Sequence, residues 1–246
     1  MKRFLYYIPS FVTYHLVNKV FTVSNGVHKV IRDYYHLNPR KVVTTLNSIS
    51  FDEVIADKTN QKKIIAEFDF KPDDFIIICA GVLSYRKGQE ILIRAFEHLK
   101  SLRCLKLVLL GDGDLRTNLE ELVEQLDLTA QIFFAGHRTD IYDWMAISSL
   151  YIQPSIYDPL PRAMLEAMYL DLPVIASDID TVKDVIKDGE TGIITSIKPE
   201  SIAETIRRLV DDKKLREKIS KNAREFVQQN CSMERMVHTI IKNLNR

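Results

Sequence analysis

Residues 75–83 read FIIICAGVL, an unbroken apolar run that ends in a glycine turn. Five similar runs follow it, and segments with the apolar spacing of a helix separate them. They are LKLVLLG at 105–111, QIFFAG at 131–136, LYIQPS at 150–155, PVIAS at 173–177 and GIIT at 192–195. Apolar strands that alternate with helices are typical of a parallel sheet covered on both faces. The sequence therefore predicts an α/β fold, a Rossmann-like doubly wound parallel sheet of six strands, which binds ligands at the carboxyl ends of its strands.

The flanking sequence divides the chain into four predicted regions. Residues 1–50 hold two short strand patterns, KVFTVS and KVVTTL, around a helical stretch from Gly26 to Tyr35. Residues 51–74 are polar and form a linker, 75–230 form the main domain, and 231–246 form a terminal helix expected to pack back on the first region. Because so few elements cannot close a core of their own, we expect exposed apolar surface on residues 1–50.

Composition excludes several classes of protein. The chain has 246 residues and a net charge of +1, so it has none of the basic excess of a nucleic-acid-binding protein. Cys79, Cys104 and Cys231 are far apart, which indicates a reducing, cytoplasmic setting. No apolar run approaches the ~20 residues of a membrane span. The predicted location is the cytoplasm, either free or peripheral at the inner membrane face.

The segment AGVLSYRKGQEILIRAF, residues 80–96, joins the first strand to a helix. Gly81 and Gly88 allow the backbone to approach a ligand closely, and a helix N-terminus attracts anions. Arg86 and Lys87 would add full positive charges beside it. The alternative is a turn with two solvated basic residues, and this segment alone does not decide between them.

The segment PSIYDPLPRAMLEAMYLDLPVIAS, residues 154–177, carries two carboxylates on either side of a helix start near Pro161 and Arg162. Glu166 lies in an unusually apolar helix, where a carboxylate needs a partner such as vicinal hydroxyls. Asp158 fits a ligand site, but it also fits an N-cap that precedes a proline. Both interpretations of Asp158 remain open.

Metal-binding patterns are weak in this sequence. GDGD at 111–114 follows a strand, but Arg116 replaces the third glycine of a dinucleotide fingerprint. Its Asp-x-Asp triplet and the second one at 178–180 are expected by chance. The six histidines lack ligand spacing. We therefore predict no metal.

Together these segments resemble glycosyltransferase family 4, the retaining "group 1" transferases of GT-B type, from about Phe21 to the C-terminus. Several family motifs occur here in the right order. They are Lys87-Gly88, Gly111-Asp112-Gly113, Phe134-Ala135-Gly136, Pro154-Ser155 followed by Asp158 and Glu166, Pro173 to Ala176, and Asp188-Gly189 with Gly192.

The resemblance implies a role for each matching position. Lys87 would hold the donor diphosphate, Glu166 the ribose hydroxyls, and Asp158 would lie near the transferred sugar, so that Asp158 and Lys87 are the catalytic candidates. The strand end at 136–138 would face the base. With the candidates from the segments themselves, the predicted donor-binding residues are Gly81, Arg86, Lys87, Gly111, Gly136, His137, Arg138, Leu160, Pro161, Arg162 and Glu166.

The chain departs from the family pattern at several positions. Val82 stands where the family has a loop arginine, Asp158 replaces a glutamate, and Pro159 replaces a glycine. Residues 1–50 resemble only a truncated remnant of the N-terminal acceptor domain.

The resemblance implies a hexosyltransferase. It would transfer a sugar from a nucleoside diphosphate sugar to a carbohydrate or lipid-linked hydroxyl acceptor, as in polysaccharide or glycoconjugate synthesis, with retention and without a cofactor. One alternative is a non-catalytic nucleotide-sugar-binding subunit that pairs with a separate acceptor-domain chain or forms a homo-oligomer. A less favoured alternative is a sugar-nucleotide epimerase, whose additional acid and base groups we do not identify.

Overall fold

The computed structural model describes residues 10–244 of the chain, and it begins with a small β–α–β unit. Helical residues 10–16 precede this unit, and a further helix leads from it towards the main sheet. The elements are β1 (Val20–Thr22), α1 (Asn25–Tyr34), β2 (Val42–Thr44) and α2 (Lys58–Glu67). β1 and β2 are parallel, with Val20 opposite Val42. Parallel neighbours need a crossover connection, and α1 lies in that connection.

The main sheet of the described residues has six strands. They are β3 (Phe75–Ala80), β4 (Leu105–Leu110), β5 (Ile132–Gly136), β6 (Leu150–Gln153), β7 (Val174–Ser177) and β8 (Ile193–Thr195). All pairings are parallel, in the order β5-β4-β3-β6-β7-β8. The Rossmann-like doubly wound fold predicted from the sequence is confirmed. The winding reverses between β3 and β6, the position where such sheets form a ligand crevice.

Helices cover both faces of this sheet. They are α3 (Gln89–Glu97), α4 (Arg116–Gln125), α5 (Ile141–Ile147), α6 (Arg162–Tyr169), α7 (Pro199–Asp211) and α8 (Lys213–Asn230). The last helix, α9 (Met233–Leu244), follows them and contributes no buried residue. Alternate residues of β3 enter opposite cores: Ile76 and Ile78 pack with α2, α5 and α6, while Ile77 and Cys79 pack with α3, α4 and α7. Burial on both faces explains why the strand is apolar at every position.

The C-terminal helix begins beside the segment that follows β2. The Ile49 amide donates to the Cys231 carbonyl at 3.0 Å, and Ser48 Oγ lies 3.0 Å from Met236 Sδ. Large apolar side chains of the first 50 residues remain exposed, including Leu16 at 78% and Val30 at 59%. Within residues 10–244, no helix combines the length and the apolar character needed to cross a membrane.

Gly88 lets two loops meet at the reversal point of the sheet. Its φ is +72°, and a Cβ there would lie 2.1 Å from the Pro154 carbonyl oxygen. We expect Gly88→Ala to cost about 1–2 kcal/mol of left-handed strain and about 1–3 kcal/mol more for overpacking. Gly189 is the matched control, because its φ is also +72° but a Cβ placed there would have nothing within 4 Å. Urea unfolding should show the larger loss for Gly88→Ala; equal losses would contradict this.

Candidate functional site

A cavity of about 680 Å³ opens at the carboxyl ends of β3, β4 and β6. It is lined by the loops after these strands, by the start of α6, and by Val23 and Asn47 from the N-terminal segment. Ten of the predicted site residues line it: Gly81, Arg86, Lys87, Gly111, His137, Arg138, Asp158, Leu160, Pro161 and Arg162. The structure therefore brings together segments that are far apart in the sequence.

An ion pair joins the two loops at the reversal point. Lys87 Nζ lies 2.5 Å from Asp158 Oδ2, and the two side chains are only 14% and 6% exposed. The pair lies on the cavity wall, where Asp158 neutralises the lysine charge. An incoming anion that uses Lys87 must therefore share this cation with Asp158.

The N-cap interpretation of Asp158 is wrong. α6 begins at Arg162 and Pro161 occupies the N-cap position, with no side-chain capping bond. Asp158 lies three residues before that position, and its carboxylate accepts from Lys87 instead. The ion pair holds this carboxylate away from the helix start.

A chain of buried polar side chains leads to Asp158. Tyr151 donates to Gln153 Oε1 at 2.7 Å, Gln153 Nε2 lies 2.7 Å from Ser155 Oγ, and Ser155 Oγ lies 3.5 Å from Asp158 Oδ2. Burial raises the pKa of Tyr151, so its phenol stays protonated as a donor. The sequence-based prediction missed Tyr151 and Gln153. The sequence does carry a signal for them, because they are polar groups at alternate positions of an apolar strand. Polar groups that are buried in this way need hydrogen-bond partners.

Backbone carbonyls of the same loop are held by distant side chains. Ser24 Oγ donates to the Pro159 carbonyl at 2.7 Å, and Asn47 Nδ2 donates to the Leu160 carbonyl at 3.1 Å. Thr181 Oγ1 donates to the Asp158 carbonyl at 2.5 Å. The N-terminal segment thus fixes the wall of the cavity. The sequence carried no local signal for these contacts.

Glu166 lies behind the cavity wall rather than on it. Its Oε1 is 3.1 Å from Arg162 Nε and 3.3 Å from the Tyr142 hydroxyl, and the side chain is 8% exposed. Burial raises the pKa of this carboxyl, while the Arg162 charge acts in the opposite direction. Arg162 lines the cavity, whereas Glu166 does not, so the Arg162 contact links this carboxylate to the cavity wall.

The loop after β5 supplies a second cation, Arg138, whose side chain is partly buried. Arg138 binds the Asp140 carboxylate at 2.9 and 2.8 Å, and its guanidinium lies 5.4 Å from the centre of the Trp144 ring. Hydrogen bonding from Arg138 lowers the pKa of Asp140 to about 2. Gly136 has φ +70° at the end of β5 and does not line the cavity.

The two Asp-x-Asp triplets are engaged by cations. Asp112 Oδ2 lies 3.3 Å from Arg116, and Asp178 lies 2.7 Å from Lys183. Among the described residues, no group of three or more His, Cys, Asp or Glu side chains is arranged to hold a metal ion.

Comparison with known proteins identifies the family to which the chain belongs. The model of the family described as glycosyl transferases group 1 matches residues 60–226. An uncharacterised glycosyltransferase of Methanocaldococcus jannaschii is 31% identical over 224 residues, 88% of this chain and 57% of that protein. The alpha-D-kanosaminyltransferase of Streptomyces kanamyceticus is 32% identical over 60% of this chain and 39% of its own length. The chain spans about half the length of the curated relatives it matches.

Solved structures share the fold. Anabaena HepE in complex with UDP superimposes with a TM-score of 0.86 at 20% identity, covering 94% of this chain and 65% of that one. A glycosyltransferase from Rickettsia africae gives the same TM-score at 23% identity, with the same coverage. These likenesses agree with the Rossmann-like fold of a domain of a GT-B protein. The match over residues 60–226 shows that the chain belongs to the glycosyl transferases group 1 family.

Proposed function

We propose that the chain is the donor-binding half of a retaining hexosyltransferase. It binds a nucleoside diphosphate sugar in the 680 Å³ cavity and passes the sugar to a hydroxyl of a carbohydrate or lipid-linked acceptor. The observation that carries the proposal is the Lys87–Asp158 pair at the reversal point of the sheet. It places a cation and a carboxylate side by side where such sheets bind nucleotides.

The proposed reaction makes particular demands on these residues. The bond between the anomeric carbon and the diphosphate oxygen breaks, and a bond from the acceptor oxygen to the same face of that carbon forms. The hydroxyl proton passes to the leaving diphosphate. Negative charge builds on the diphosphate, so Lys87, Arg86 and the amides at the start of α6 would stabilise it. Asp158 would contact the transferred sugar, and Glu166 the ribose hydroxyls.

A donor screen tests the proposal. Thermal shift is measured with UDP-, GDP- and ADP-linked hexoses at about a hundred times their dissociation constants, where a ligand adds roughly 2.7 kcal/mol of stability. We expect at least one of them to stabilise the chain. No shift with any donor would contradict the donor site.

One observation favours a second candidate, a non-catalytic nucleotide-sugar-binding subunit. Val82 is 57% exposed and lines the cavity at the loop position where the family resemblance places an arginine. The diphosphate would therefore lack one cation. Donor binding without transfer to a panel of acceptors, together with transfer once a separate acceptor-domain chain is added, would favour this candidate.

We expect metal chelation to leave nucleotide affinity unchanged. Lys87 and backbone dipoles replace a divalent cation in the proposed site, and the Asp112 carboxylate is already paired with Arg116. Calorimetry of UDP binding with and without EDTA checks this, and added Mg²⁺ is the control. An affinity that EDTA lowers and Mg²⁺ restores would assign a metal to the site.

A further inference from the structure

The cavity of about 680 Å³, which we call the donor cavity, has four lysine and arginine side chains on its wall within the described part of the chain. They are Arg86, Lys87, Arg138 and Arg162. A nucleoside diphosphate carries two adjacent phosphates, and each of them favours a charged donor of its own. The question is therefore which of these side chains faces which phosphate.

Three of the four cations are either committed to a carboxylate or open to solvent. Lys87 Nζ lies 2.5 Å from Asp158, and Arg138 binds Asp140 through two nitrogens at 2.9 and 2.8 Å. Arg86 is exposed, so salt and water screen its charge. The fourth cation combines a fixed orientation with an open side.

Arg162 is held from behind and is open towards the cavity. Its Nε lies 3.1 Å from Glu166 Oε1, a carboxylate that is 8% exposed and that also contacts the Tyr142 hydroxyl at 3.3 Å. Its Nη2 lies 3.6 Å from Glu53, but that side chain is 67% exposed, so the contact is weak. Half of the Arg162 side chain remains exposed on the cavity wall. A guanidinium oriented by a buried partner is prepared for an anion on its open side.

The order of groups along this segment matches the order of groups in a nucleoside diphosphate sugar. In the proposed site Asp158 contacts the sugar and Glu166 the ribose, and Arg162 lies between them at the first position of α6. In the ligand the β-phosphate is bonded to the sugar and the α-phosphate to the ribose. Lys87 pairs with Asp158 at the sugar end, and Arg162 pairs with Glu166 at the ribose end. The two cations therefore lie beside different phosphates.

We propose that Arg162 binds the α-phosphate of the donor while Lys87 binds the β-phosphate, and this inference rests on the donor site proposed above. A guanidinium matches a phosphate with two parallel N–H bonds, whereas an ammonium acts as a point charge. Glu166 then has a second role as a positioning residue, because it holds the guanidinium at the cavity wall. Arg162 gives the diphosphate a second oriented cation although position 82 is a valine.

Nucleotides that differ by one group test this assignment. The probes are the mono- and diphosphates of uridine, guanosine and adenosine, with the 2′-deoxy diphosphate of each, and affinities are measured by ligand-observed NMR on the intact chain. Mono- and diphosphates share the α-phosphate, so Arg162→Gln should weaken both by the same factor, roughly ten-fold or more. Arg162→Lys keeps the charge but loses the two-pronged contact, so its loss should be smaller.

A variant at the other cation should give a different pattern. Lys87→Met is combined with Asp158→Asn, so that neither charge of the buried pair remains. Because Lys87 faces only the β-phosphate in this proposal, the double variant should weaken the diphosphates and spare the monophosphates. Equal weakening of both in this variant would contradict the division between the two cations.

Arg94→Gln is the matched control. Arg94 also pairs with a carboxylate one helical turn away, Glu90 at 2.9 Å, and is 46% exposed. It lies on α3 and does not line the donor cavity. Arg94→Gln should therefore change no nucleotide affinity, and a loss confined to Arg162→Gln would support the cavity contact.

The 2′-deoxy diphosphates separate a phosphate contact from an effect on the ribose. In Arg162→Gln the Glu166 carboxylate keeps its contact with Tyr142, so the preference for a ribonucleotide over its 2′-deoxy form should persist. If Arg162 serves only to hold Glu166 in place for the ribose, that preference collapses in the variant and the inference is wrong.

Two further outcomes overturn the inference and leave the donor site intact. One is a monophosphate affinity that Arg162→Gln leaves unchanged. The other is a wild type that binds a diphosphate but no monophosphate, since the α-phosphate is present in both. Absence of binding by every diphosphate contradicts the proposed function itself.

Discussion

Replacement of Lys87 by methionine is expected to weaken nucleoside diphosphate binding by at least roughly ten-fold and to destabilise the fold. The ammonium group is the cation nearest to Asp158, and both side chains are largely buried. Breaking a buried ion pair by removing one partner costs about 3–5 kcal/mol, because the remaining charge is left without compensation. The lost hydrogen bonds to a charged ligand are worth about 1.5–3 kcal/mol more in binding, roughly ten-fold to over a hundred-fold in affinity.

A second substitution separates these two effects. In the double variant Lys87→Met with Asp158→Asn neither charge of the pair remains, so urea unfolding should show most of the stability regained. Calorimetry should still find nucleotide binding weakened. Recovery of both stability and binding in the double variant would remove Lys87 from the diphosphate site.

Asp158→Asn alone gives an opposite expectation. The substitution frees Lys87 from its carboxylate partner, so UDP, which carries no sugar, should bind more tightly than to the wild type. The intact sugar nucleotide gains less, because it loses the proposed contact with Asp158. Weaker binding of UDP to Asp158→Asn would contradict competition between the two anions for Lys87.

The fold could be predicted from the sequence because burial of a strand determines which of its residues are apolar. Strands covered on both faces are apolar at every position, and residues 75–83 show this most clearly. The site was predictable in part, since Lys87 and Asp158 each follow a strand that ends at the same edge of the sheet. The ion pair between them could not be predicted, because it depends on β3 and β6 being neighbours in the sheet. The two residues are 71 positions apart in the sequence.

Contacts made by the N-terminal segment lay beyond what the sequence could indicate. Ser24 matches a helix cap, and it does cap α1 through the Val27 amide. Nothing local indicates that its hydroxyl also reaches the Pro159 carbonyl, 135 positions away. The Asp158-Pro159 pattern left two interpretations open for a similar reason, since a local capping preference of about 1 kcal/mol is outweighed by a buried ion pair. Tertiary packing decides such positions.

Glu166→Gln is expected to weaken donor binding while it stabilises the unliganded chain at neutral pH. Burial is the main cause that raises the pKa of this carboxyl above its ordinary value of 4.5. The folded state therefore holds this proton more tightly than the unfolded state, so the stabilising contribution is complete below pH 4.5 and is lost as pH rises through the raised pKa. A neutral glutamine avoids the cost of ionisation, so the variant should unfold at a higher urea concentration at about pH 7.

Donor binding should show the opposite response to pH. Ribose hydroxyls donate to an ionised carboxylate more strongly than to a neutral group, so affinity for a nucleoside diphosphate sugar should rise as pH increases through the raised pKa of Glu166. Glu166→Gln should bind the donor roughly ten-fold or more weakly at about pH 7, and its affinity should lose this pH dependence.

Glu53 is the control, because its carboxylate also lies near Arg162, at 3.6 Å, but is 67% exposed. Glu53→Gln should leave the pH dependence intact. A Glu166→Gln variant that is more stable yet binds the donor as tightly as the wild type would make Glu166 a partner of Arg162 and Tyr142 alone, with no contact to the ribose.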